Sequence, residues 1–326
     1  MISIRDQLYV FWERKYHEIT QYAQSQANTN YQKLIKKMPI TTAKFDAASY
    51  STLGLWQSFD MGAQVSETFP KKQWEKSYDV KNTGVGKGWR IPVYERDLNF
   101  QETPTGGMKV TLKNEQAMRD MIAAHGINKE NTIDKAVYDY ILANPTCTDS
   151  VALISASHLI ARGSATTFSN RLTAALSGGI KDALKAALQK VDAFVDANGT
   201  PIVNRRTYFN TISVGPKYYD DVKDVCETQF GASGIAGEEN ISNSSIRNKF
   251  TVLNVPYYTG SYENFYHITA DAKPGISSFE LVMWDNDKFD VEQVPGVSEE
   301  KRYDFKGYMF NDIGCRDALW IVGYIG

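Results

Sequence analysis

The stretch LTAALSGGIKDALKAALQKVDAFVDANGTPIVNRRTYFNTISVGPKYYDDVKDV, residues 172–225, sets the class of this chain. Within it Ile180, Leu184, Ala187, Leu188, Val191 and Val195 recur at three- and four-residue steps. They share one stripe of a helix, while Lys181, Asp182, Lys185 and Asp192 fall mostly elsewhere. Asn198 and Gly199 tolerate the left-handed conformation that closes a helix, and Pro201 forbids continuation, so the helix is expected to stop there. Tyr208, Asn210, Ile212 and Val214 then alternate with Phe209, Thr211 and Ser213, the period of a strand. Gly215–Pro216 opens a second helix, with proline fixing φ in its first turn. Helix, strand and helix joined by short turns make an α/β layer, and no step of it carries a catalytic group.

Downstream, Gly231 to Asn248 is rich in Gly, Ser, Asn and Glu and is expected to be an exposed loop. Five strand-like runs follow: Phe250–Val255, Phe265–Ala270, Phe279–Trp284, Lys306–Phe310 and Ala318–Tyr324. Upstream, Val151–Ile154 is also strand-like. Lys113 to Ala143 is mostly helical, interrupted at Gly126 and Asn128 so that a kink or two helices are expected, and ended by Asn144–Pro145. Helices in the middle and strands gathered at the end indicate an α+β chain.

Residues 4–37 read as a helical arm with Leu8, Phe11, Trp12 and Tyr16 on one face, and 39–67 as an extended arm with short helical pieces. Trp74, Lys76, Tyr78 and Val80 alternate with charged and polar neighbours. After Asn82–Lys87 a second alternating run sets Trp89, Ile91 and Val93 against Arg90, Pro92 and Tyr94. Two such runs around a glycine-rich turn predict a hairpin. Its apolar face is thin, and a lone two-stranded hairpin is marginal in water, so it is expected to lie on another subunit. Gly84–Gly88 does not fit a phosphate loop: Gly88 and Trp89 stand where Ser or Thr and a helix are needed.

The chain has 326 residues, 36 Lys and Arg against 38 Asp and Glu, and a net charge of −2, with no basic tract. That balance argues against a surface that grips nucleic acid by counterion release. Cys147, Cys226 and Cys315 are far apart without a CxxC pair, so a disulfide or zinc scaffold is not expected and a reducing compartment is. No run approaches the roughly 20 apolar residues of a membrane span, and the first residues lack a signal peptide's pattern. None of His17, His125, His158 and His267 pairs at ligand spacing. Asp149, His158 and Ser155 could be drawn as a triad, but no nucleophile elbow accompanies them. The adjacent carboxylates Asp220–Asp221, Glu238–Glu239 and Glu299–Glu300 point apart, unlike an acid/base pair. No catalytic, cofactor or metal residue is expected.

The run Ala152–Leu–Ile–Ser–Ala–Ser–His158, the Leu172–Thr–Ala–Ala–Leu–Ser segment, the helix running to Gly199–Thr–Pro–Ile202, and the strand from Tyr208 to Pro216 together resemble the centre of Mu-like phage major head subunits. Val93–Tyr–Glu–Arg–Asp–Leu98 upstream and Phe265–Tyr–His–Ile–Thr–Ala–Asp271 downstream extend the likeness. Departures are Ser150 where the family has glycine after Asp149, Ile154 where it has Phe, and Gly215 inserted before Pro216. The resemblance implies the Hong Kong 97-type capsid fold. Its parts would be an N-terminal arm (1–69), an E-loop hairpin (70–104), a P-domain with a spine helix (105–150), an A-domain (151–270) and strands returning to the P-domain (271–326). It implies a major capsid protein, not an enzyme, forming hexamers and pentamers of an icosahedral virion shell around double-stranded DNA, assembled in a bacterial host's cytoplasm. Portal, scaffold or decoration proteins are expected partners, with weak, sequence-independent DNA contact and no membrane. Trp74, Tyr78, Lys81, Lys87, Trp89, Arg90 and Tyr94 are the expected inter-subunit contacts. The alternatives are an encapsulin-like nanocompartment shell and a soluble hydrolase with an unrecognised site.

Overall fold

The computed structural model describes residues 3–39, 44–50, 72–79, 85–160, 164–195, 205–227, 246, 249–271, 279–295, 300–315 and 318–326, with 44–50, 72–79, 85–86 and 279–287 described by backbone pairing alone. Helix α1 (Ile4–Gln26) starts where the Ser3 side chain accepts the Asp6 N–H, and it buries Leu8, Trp12, Tyr16, Thr20 and Ala23 along one stripe. The arm does not continue as helix to Lys37. Asp134 accepts the N–H groups of Asn30 and Tyr31, both at 2.9 Å, which turns the chain into β1 (Ile35–Pro39). Long-range pairing here overrides local propensity.

Strands β2 (Lys44–Tyr50) and β3 (Lys72–Asp79) follow, then β4 (Val85–Tyr94), the hairpin β5 (Leu98–Glu102) and β6 (Met108–Leu112), and helix α2 (Glu115–Leu142). Asn114 caps α2 by accepting the Ala117 N–H at 3.0 Å. The helix is a single element, against the expectation of a break at Gly126. A Cβ at Gly126 would stand 2.9 Å from Ala23 Cβ, so this glycine lets α1 cross close to α2. Val151–Ile154 is not a strand: Leu153 and Ile154 are buried in a loop.

Beyond it come β7 (His158–Leu159), β8 (Thr167–Phe168), α3 (Ile180–Asp192), β9 (Phe209–Val214), α4 (Pro216–Glu227), β10 (Thr251–Asn254), β11 (Tyr266–Ala270), β12 (Phe279–Val294), β13 (Arg302–Cys315) and β14 (Ile321–Tyr324). Helix α3 ends at Asp192, short of Asn198–Gly199, which lie outside the described residues, as does most of 231–248. Phe194 turns into the core beneath the buried Arg205 guanidinium, which lies 4.6 Å from its ring and from that of Trp320.

The α+β class holds, and among the described residues the larger sheets are two four-stranded ones ordered β1-β12-β13-β4 and β10-β9-β11-β14, beside the two-stranded pairs β2-β3, β5-β6 and β7-β8. Helices α3 and α4 cover the second sheet through Leu184, Leu188, Val191 and Val222 packed on Phe209, Ile212 and Ile268. Helix α1 and the first half of α2 cover the first sheet around Trp12, Ile91, Val93, Ile122, Val291 and Phe305. The second half of α2 enters a third cluster with Tyr138, Ile141, Val255 and Tyr258. At 28 residues α2 spans about 42 Å and ties the core under the first sheet to this third cluster.

Two further expectations fail. Trp74–Val80 and Trp89–Val93 do not form a hairpin: β3 pairs with β2, and β4 pairs with β13. Ile91 and Val93 are 8 % and 5 % exposed, so the apolar face of β4 is covered within the chain. Cys147 and Cys315 form a disulfide, their Cα atoms 5.1 Å apart, while Cys226 is free and buried. The partners are separated by 168 residues, so no local spacing announces the bond.

Candidate inter-subunit surface

The placement of β2 and β3 follows from the register of the first sheet. Pro39, the last residue of β1, pairs with Met283. Met283 pairs with Asn311, and Asn311 with Val85, the first residue of β4. The chain therefore leaves the sheet and returns to it in one row, three strand spacings or about 14 Å apart. Between those points runs residue 40 to residue 84, and the β2–β3 ribbon in that excursion is a two-stranded sheet of its own.

The seven residues expected at subunit contacts fall into two groups. Trp74 and Tyr78 lie on β3, opposite Ser49 and Phe45, and Lys81 is outside the described residues. Lys87, Trp89, Arg90 and Tyr94 lie on β4. Trp89 stacks on His125 of α2 with ring centroids 4.8 Å apart and planes at 2°, and its indole lies flat over Gly307, where a Cβ would collide with it. Arg90 Nη1 is 3.4 Å from the fully buried Asp304 carboxylate, which Arg302 also approaches at 3.0 Å. The Tyr94 N–H donates to Asp97 at 3.1 Å and its ring carries the Arg96 guanidinium at 4.6 Å. Lys87 is half-buried, and burial holds its ammonium pKa below the ordinary lysine value, against the pull of Asp139. The β4 group thus serves the subunit's own packing first. Local alternation could not show this, because the covering groups sit on α2 and β13.

Tyr16, Trp89, His125 and Met309 wall a cavity of about 190 Å³ with Lys87 and Lys129 beside them, floored by Gly88, Gly126 and Gly307. Among the described residues no cluster of three or more His, Cys, Asp or Glu could hold a metal ion. His158 Nδ1 is 2.7 Å from Asp149, but its Nε2 faces the Leu153 carbonyl at 3.1 Å. Both ring nitrogens address acceptor oxygens in the buried interior, so no face remains to activate Ser155, and the drawn triad is a structural pair. Among the described residues no helix is long and apolar enough to cross a membrane.

His267 is fully buried beside the Tyr258 hydroxyl at 3.1 Å, and burial pushes its pKa down to about 3. The unfolded chain, with a histidine near 6.5, therefore takes up a proton the folded chain refuses between about pH 6.5 and 3. Stability falls with pH across that window, by about 2 kcal/mol at pH 5. His267→Gln should flatten the decline in melting temperature between pH 6.5 and 5; an unchanged slope would refute this source.

No protein-family model matches the chain, and no curated protein sequence matches it significantly. Solved structures do. The chain is similar to the capsid of cyanophage P-SCSP1u at 12 % identity, covering 91 % of this chain and 88 % of that one, TM-score 0.47. It is similar to a virus-like particle from Pyrococcus furiosus at 11 % identity, covering 95 % and 98 %, TM-score 0.49. It is also similar to the mature capsid of bacteriophage PhiM1 at 12 % identity, covering 91 % and 86 %, TM-score 0.48.

Proposed function

We propose that this chain is a major capsid protein of the Hong Kong 97 type, in the Mu-like branch its motifs resemble, self-assembling into hexamers and pentamers of an icosahedral shell around double-stranded DNA. The observation that carries the reading is the excursion from residue 40 to 84, which departs from and re-enters one row of the sheet while, among the described residues, its β2–β3 ribbon joins no larger sheet. A two-stranded ribbon alone is marginal in water and needs a covering surface, which in this reading a neighbouring copy supplies. In this reading the E-loop, expected over 70–104, also takes in β2, the partner of β3. Helix α1 is the arm, α2 the spine of the P-domain, the sheet around β9 the A-domain, and β12 and β13 the strands that return. The chain is structural, with no catalytic role. Its near-neutral charge suits a container that must take in and release its DNA. Portal, scaffold or decoration proteins complete the virion, built in a bacterial cytoplasm.

Electron microscopy of the purified full-length chain should show closed shells about an order of magnitude wider than one subunit. Backbone amides of 44–50 and 72–79 should exchange freely in dissociated subunits and slowly in shells. A chain that stays monomeric under all assembly conditions, or equal exchange in both states, would overturn the proposal. Shells filled with protein cargo and no nucleic acid would instead make the chain a compartment shell.

A further inference from the structure

The β5–β6 hairpin holds a rigid tip and leaves apolar side chains uncovered. The Thr103 N–H donates to the Gly107 carbonyl at 2.7 Å, the Gly107 N–H to Thr103 Oγ1 at 2.9 Å, and the Gly106 N–H to the Thr103 carbonyl at 2.9 Å. Gly106 adopts φ +75°, which glycine takes at no steric cost. At the root, Leu98, Val110 and Leu112 are buried in the core. Further out, Phe100 and Met108 are 42 % and 53 % exposed, with Glu102 paired across from Met108. A fixed turn presenting two large apolar groups and a carboxylate to water has the form of an anchor.

The cavity walled by Tyr16, Trp89 and Met309 has the complementary form. At about 190 Å³ it is smaller than the roughly 300–1,000 Å³ of small-molecule sites, and it suits one or two inserted side chains. Its walls are aromatic and thioether, and its charged members, Lys87 and Lys129, are both cationic. An incoming carboxylate would relieve the desolvated ammonium of Lys87. The hairpin is rooted just before Glu115, whereas the cavity lies between His125 and Thr132 on the same helix, some 15–25 Å further along its axis. Tip and socket at different places on one chain give a head-to-tail contact, the kind that builds rings where the rotation between copies closes.

We infer that the β5–β6 tip of one copy seats in this cavity of the next, with Phe100 and Met108 against Tyr16 and Trp89, and Glu102 toward Lys87 and Lys129. The inference rests on the assembly reading and names a contact within it.

The test is the full-length double variant Met108→Cys with Thr132→Cys, assembled and then oxidised with oxidised glutathione. The expected result is a ladder of covalent dimers, trimers and higher rings on a non-reducing gel, collapsing with reductant and absent from either single variant. Phe100→Asp should still fold, with a modest fall in melting temperature from the part of the ring the subunit covers, and should weaken assembly at least about tenfold. Normal shells without a ladder, or normal assembly of Phe100→Asp, would overturn this contact and leave the capsid reading intact. Failure of the parent chain to assemble at all would sink both.

Discussion

Oxidised subunits will melt about 4–7 °C above the same subunits in reductant, and the double variant Cys147→Ala with Cys315→Ala will melt at the lower temperature in both buffers. Closing a loop of 168 residues removes about 5 kcal/mol of conformational entropy from the unfolded chain, and losses on removing native disulfides run about 2–5 kcal/mol. With an unfolding entropy of roughly 2.1 cal/mol/K per residue over 326 residues, a loss of about 3–5 kcal/mol gives that shift. The bond joins the loop after α2, where the Cys147 N–H donates to the Val151 carbonyl at 2.8 Å, to the end of β13, where the Cys315 N–H donates to the Tyr140 hydroxyl at 2.8 Å. Both ends are already placed by the fold, so the cross-link restricts the unfolded chain more than the native one. Scanning calorimetry with and without reductant is the measurement, and melting temperatures that ignore reductant in the parent chain would refute the claim.

Excising residues 40–84 and joining Pro39 to Val85 through eight Gly/Ser residues will leave a folded subunit that builds no shell. The gap to be bridged is about 14 Å across four strands. An eight-residue flexible linker has a root-mean-square span of about 16 Å, so the sheet closes without strain. After the excision β1 keeps its ladder to β12 and β4 its ladder to β13. The melting temperature should fall by less than a few degrees, while particle formation measured by light scattering should drop below detection. Trp89→Ala should do the reverse: it strips the stack on His125 and the cover over Gly307, so it should cost subunit stability before it affects assembly. Shells from the excised chain would remove the support on which the capsid proposal stands. A destabilised excised chain would show that the ribbon braces its own subunit.

The α3–β9–α4 layer was legible because its signals are local: a 3.6-residue stripe, a strand of alternating residues and a proline at a helix start all act within a few residues. The long α2 was legible too, but the reason for Gly126 was not, since the side chain it admits belongs to α1. The hairpin was misassigned by one strand. Alternation marks Trp74–Val80 and Trp89–Tyr94 as strands, but it does not choose partners, and the partner of β3 begins 28 residues earlier in a segment with only a faint pattern. The disulfide and the Trp89–Gly307 fit are likewise meetings of distant segments: β13 meets the loop after α2 in the first and β4 in the second.

The neighbour of β1 is β12, and Ile35 lies 244 residues before its partner Phe279. At synthesis rates of about 5–20 residues per second, the first strand to leave the ribosome waits roughly 12–50 s for the strand that completes it. Its bare backbone edge is an invitation to the wrong partner throughout that interval, and so many distant pairings make for slow folding. Yield in a producing cell should therefore depend on chaperone capacity and growth temperature more steeply than the finished chain's stability would suggest.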